Sequence, residues 1–204
     1  VNRLTPLSML MSLAFFSIEG NFILSAGASA MTFALLVVMG LDLSWLTVLM
    51  PFFYLFPLHT LNRYLEINWQ ELARSPQYAR IRRFWWFYLA TAMGCLTVTL
   101  VIAWLTGPWT TAIVLVSYLF GFLYSVNIVP SSWNLRFRSL RDIPASKDLF
   151  IAAAWTFAVV ALPLFMLGEP PQFNTFLAGI FVFVIVLGRT TALSLGGIQS
   201  DKII

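Results

Sequence analysis

Three polar segments interrupt an otherwise apolar chain, and they hold the residues that could do chemistry. The first reads His59-Thr60-Leu61-Asn62-Arg63-Tyr64-Leu65-Glu66. Asn62 and Glu66 stand four residues apart, on one face of a helix, with Arg63 beside that face and Gln70 continuing it. The second runs from Arg189 to Lys202, where Ser194, Gly197 and Asp201 recur at helical spacing. The third, from Tyr124 to Asp148, is long, basic and aromatic. Charged groups at or inside apolar helices are costly, so each segment is a functional candidate. Each also has a plainer reading. Arg63 can snorkel to lipid headgroups while Glu66 pairs with it or with Gln70. Ser194 and Gly197 can be close helix packing before Asp201 exits to water. The basic loop can be a face that binds headgroups rather than a lid over a substrate.

The elements that must position these residues follow from composition. The chain is 60% hydrophobic and only 10% charged, with a mean hydropathy of +0.86. A water-soluble chain of this length could not hide so much apolar surface in one core. A bilayer removes that problem and adds another, because every backbone N–H and C=O at that depth needs an internal partner. Helices and closed barrels meet the demand. The apolar runs are long and unbroken rather than alternating, which selects helices. The expected fold is therefore all-α: a single polytopic transmembrane domain over residues 1–204. Six spans are expected, at roughly 21–40, 44–66, 84–105, 109–124, 149–167 and 173–195. Pro51 and Pro57 fall inside the second span and predict kinks or a packed interior there.

Charge placement orients the spans. If six spans alternate, all 12 lysines and arginines fall on one side, and the opposite turns hold only Asp42 and Glu169 as charges. That is a full positive-inside bias. It predicts a multi-pass integral membrane protein with its N-terminus and the basic loops 67–83 and 126–148 in the cytoplasm. The start lacks a basic region followed by a cleavage site, so no cleavable signal peptide is expected. The net charge of +4 reflects where the loops sit and carries no expectation of nucleic-acid binding. Tryptophans such as Trp45, Trp85, Trp86, Trp104 and Trp109 cluster near the expected ends, as in an interfacial aromatic belt. Cys95 is the only cysteine and His59 the only histidine. Neither an intrachain disulfide, nor a thiolate cluster, nor a histidine-based metal site has enough parts. Cys95 reads as a small packing residue.

Placed on these spans, three segments resemble the UbiA-type intramembrane prenyltransferase superfamily. Leu123-Tyr124-Ser125, the basic loop, and the stretch Ile143-Pro144-Ala145-Ser146-Lys147-Asp148-Leu149 running to Trp155 resemble that family's path into its fifth helix. Asn62 to Gln70 falls where the family has its first aspartate motif, at the end of helix two. Ser194 to Asp201 falls where it has its second, at the end of helix six. The resemblance implies a bundle, normally of nine helices, around a central cavity, and covers the first six. It also implies two carboxylate motifs holding Mg²⁺ against a prenyl diphosphate, whose allylic C–O bond ionises when the leaving diphosphate is neutralised.

This sequence departs from the pattern at the chemistry. Arg63 and Gln70 stand at two aspartate positions of the first motif, and Ser194 and Gly197 at two of the second. Of six family carboxylates, Glu66 and Asp201 remain. The resemblance makes these two the candidate catalytic and metal residues, sufficient for one Mg²⁺ at most. It makes Asn62, Arg63, Tyr124, Arg136, Arg138, Lys147 and Arg189 the candidate substrate-binding residues. Two functions are expected. The first is a catalytically degenerate member that binds lipid or isoprenoid, or serves as a structural subunit with protein partners in a membrane complex. The alternative is an active, Mg-dependent prenyltransferase acting on an aromatic, quinone, tetrapyrrole or lipid acceptor.

Overall fold

The computed structural model describes the backbone of residues 21–66, 79–125 and 146–201, and the side chains of 21–62, 85–124 and 146–193. All regular structure among them is helical. Six helices follow in order: α1 (Phe22–Met39), α2 (Trp45–Glu66), α3 (Ala79–Thr106), α4 (Pro108–Ser125), α5 (Ser146–Leu167) and α6 (Phe173–Asp201). Four of them, α1, α3, α5 and α6, are long and apolar enough to cross a membrane by length and composition. The apolar part of α4 is shorter, Pro108–Tyr124. In α2, Pro51, Pro57, His59 and Asn62 dilute a helix of comparable length. The chain has the character of a multi-pass membrane protein.

Short turns fold the helices into hairpins, and glycine makes two of them possible. Gly40 closes α1 at φ 67°, and its N–H donates to the carbonyls of Leu36 and Val37. Gly168 closes α5 at φ 68°, donating to Leu164 and Phe165. A β-carbon would strain both left-handed positions. The third turn is Gly107, followed by Pro108 at the first position of α4, where its missing N–H costs nothing.

Three helices run further than expected. α3 begins at Ala79, so Arg80, Arg82 and Arg83 continue the helix rather than the loop 67–83. α6 has 29 residues and stays helical to Asp201, roughly 43 Å at the usual rise, against a hydrocarbon core of about 30 Å. Its end must therefore project beyond that core. Likewise α5 starts at Ser146, with Asp148 in its first turn complementing the helix dipole.

The molecule centres on α2 and α5. α2 packs on α1, α3, α4 and α5, while α5 packs on α1, α2, α4 and α6. The apolar window of α5 is 44% buried, against 22% for α3 and for α6. Tyr54, Met50 and Leu55 of α2 meet Ala158, Val159 and Leu162 of α5 in the core. Ser25, Ala28, Ser29 and Thr32 give α1 a buried stripe of small side chains, which lets its backbone come close. Outward surfaces are apolar: Val38, Trp104, Leu105 and Trp109 are all more than two-thirds exposed. Trp45, Trp104 and Trp109 mark the end of the bundle that carries the glycine turns, as an interfacial belt would.

α5 is not uniform, a feature absent from the sequence expectations. Phe157–Ala161 widens into a π-helical turn in which Leu162 N–H reaches Phe157 O. Pro163 follows at once. A proline has no N–H to give the carbonyl four residues earlier, here that of Val159. Thr32 Oγ1 of α1 supplies the missing donor, at 3.2 Å from Val159 O.

Candidate functional site

Three helices meet at the end of the bundle opposite the glycine turns. The indole N–H of Trp155 (α5) donates to His59 Nε2 (α2) at 3.2 Å, with the rings 6.2 Å apart and tilted by 55°. The accepting Nε2 lone pair puts the proton of a neutral ring on Nδ1. The Arg189 guanidinium of α6 acts electrostatically on the same ring. Asn62 lies about one turn further along α2, and Lys147 lies in the first turn of α5, about two turns before Trp155. Tyr124, at the end of α4, is buried and stacks on Phe150 of α5, with centroids 4.2 Å apart and an angle of 21°.

In front of this junction lies a cleft of about 440 Å³ between α2, α4, α5 and α6. Tyr54, Leu58, Phe120, Phe150, Phe157 and Phe183 form most of its wall. Leu58 is next to His59, and Ala154 of the lining is next to Trp155, so the hydrogen-bonded pair stands behind the wall it helps fix. Gly121 sets the approach of α4 to α2, because a β-carbon there would sit 2.9 Å from Leu58 Cδ2. Tyr54 and Ser117 are the polar groups of the cleft, and they hydrogen-bond each other. Tyr118 O–H donates across to Tyr54 O at 3.2 Å.

The sequence-predicted residues divide accordingly. The structure places Asn62, Tyr124, Lys147 and Arg189 at the same end of the bundle. Arg63 and Glu66 lie on the last turn of α2 and Asp201 at the end of α6, but their side chains fall outside the described ones. Arg136 and Arg138 fall outside the described residues altogether. His59 and Trp155 stand in segments the sequence marks out but were not expected as site residues, and the aromatic wall was not expected at all. A histidine inside an apolar span was the available signal.

The chemistry on offer is binding chemistry. His59, Asn62, Lys147 and Arg189 bring an imidazole, an amide and two cations, a set suited to an oxygen-rich anion. Among the described residues, no three of His, Cys, Asp and Glu gather as metal ligands. Asp148, in the first turn of α5, is the carboxylate at this end among the described side chains, and it is the kind of hard oxygen ligand that Mg²⁺ takes. Comparison with family models, curated proteins and solved structures finds no match.

Proposed function

We propose that this chain is a UbiA-like membrane protein with a degenerate metal site, which binds an isoprenoid or lipid bearing an anionic head. The observation that carries the reading is the apolar cleft beneath a helix junction furnished with donors and cations. A cleft of 440 Å³ lies within the range of small-molecule sites, roughly 300–1,000 Å³. Its apolar wall suits a hydrocarbon tail, and Lys147 at the start of α5 lies two residues before Leu149 of that wall, a cation for a charged head. Binding, alone or as a subunit of a larger membrane complex, needs no more than this; the resemblance adds that the head is a diphosphate and that this end faces the cytoplasm.

The test is radiolabelled farnesyl diphosphate added to the full chain in nanodiscs, with and without Mg²⁺. The account expects saturable binding and no transfer to aromatic, quinone or lipid acceptors. Robust Mg²⁺-dependent transfer would overturn the degenerate reading. That active alternative has one observation in its favour: α6 stays helical through Asp201, which keeps Ser194, Gly197 and Asp201 in helical register. If it holds, Asp201→Ala abolishes transfer.

A further inference from the structure

A second cleft, of about 400 Å³, lies along α5 and α6 toward the glycine turns. Val160 and Leu164 of α5 face Phe176, Gly179 and Ile180 of α6 across it. Its surface is as apolar as that of the first, and it has no counterpart of the donors at the His59 junction. One side chain belongs to both walls: Phe183 of α6. It is partly buried against the core, and beside it α5 contributes Phe157 to one cleft and Thr156 to the other.

The geometry points to Phe183 as a gate that sets how long a tail the chain accepts: the first cleft holds the near part of an isoprenoid, and the second receives the remainder only when Phe183 turns aside. This rests on the binding function proposed above. Three features support it. The two clefts meet at a single side chain rather than at backbone. The π-helical turn Phe157–Ala161 contributes residues to both, so the seam is where α5 is already wound out of register. Gly179 keeps the wall of the far cleft open by about a methyl group, since a β-carbon there would touch Thr156 Cγ2 at 3.7 Å. An aromatic ring at the seam is a bulky stop with few rotamers, so a tail reaching it must either end or displace it.

The experiment measures binding of geranyl, farnesyl and geranylgeranyl diphosphate to the full chain in nanodiscs, for the native protein and Phe183→Ala. In the native protein, affinity should rise from geranyl to farnesyl and then level off or fall. In Phe183→Ala, the affinity for geranylgeranyl diphosphate relative to geranyl diphosphate should rise at least about tenfold over the native ratio. A native-like midpoint in SDS unfolding shows that the variant is folded. If Phe183→Ala fails that control, Phe183→Leu carries the same test, with a smaller shift in the same direction expected. Native-like length dependence in the folded variant overturns the gate and leaves the binding function standing. Failure of the native protein to bind any of the three overturns both.

Discussion

α2 and α5 both carry a proline in the middle of the bundle, and they answer it differently. Pro57 leaves α2 helical throughout, with Tyr118 O–H from α4 donating to Tyr54 O, three residues before the proline. Pro163 follows a π-helical turn in α5, with Thr32 from α1 donating to Val159 O, four residues before it. The difference lies in what each carbonyl has lost. Tyr54 O retains the Leu58 N–H, four residues on, as a chain-local partner. Val159 O has Pro163 in that position and accepts from a donor on another helix. In lipid there is no water to fall back on. One hydroxyl bond is thus an addition and the other a replacement.

Substitutions can break that comparison. The largest effect is expected for Thr32→Val, which keeps shape but strands the Val159 carbonyl; a loss of about 1–3 kcal/mol should appear in reversible SDS unfolding. Pro163→Ala should largely rescue it, because the restored N–H gives Val159 O a local donor. A double-mutant cycle reads that coupling, and additive effects would contradict the account. Next comes Trp155→Phe, which leaves His59 Nε2 without its indole partner and should cost about 1 kcal/mol. It should also weaken farnesyl diphosphate binding, by loosening the wall at Leu58 and Ala154. The smallest is Tyr118→Phe, near the ~0.6 kcal/mol average for interhelical hydrogen bonds in membranes. Pro57→Ala should leave that cost unchanged, since the carbonyl Pro57 deprives is that of Phe53, not Tyr54.

Much of the helical framework was legible. The expected spans 21–40, 44–66 and 109–124 match α1, α2 and α4 to within a residue or so, because Gly40, Gly107 and Pro108 punctuate the chain where the backbone needs them. α3 and α6 overran expectation because hydropathy marks where lipid ends, not where a helix ends. The π turn was not legible: Phe157 to Ala161 is an apolar run whose composition does not distinguish one helical pitch from another. Its stabilising donor lies 127 residues away in the chain. The His59–Trp155 bond spans 96 residues and was hidden for the same reason. Of the candidate residues, Arg189 was visible in the sequence as a charge near the end of an apolar span. The aromatic wall was not, because Phe120, Phe150 and Phe183 look like any lipid-facing phenylalanine, and only the packing of α4, α5 and α6 puts them around one cleft.

The cleft itself can be mapped directly. A farnesyl diphosphate analogue with a photoreactive diazirine in its tail, irradiated with the full chain in nanodiscs and mapped by peptide mass spectrometry, should label Phe120, Phe150, Phe157 and Phe183, and excess unlabelled farnesyl diphosphate should suppress that labelling. Labelling confined to outward residues such as Val38 and Trp104, and indifferent to competitor, would contradict the cleft as a binding site.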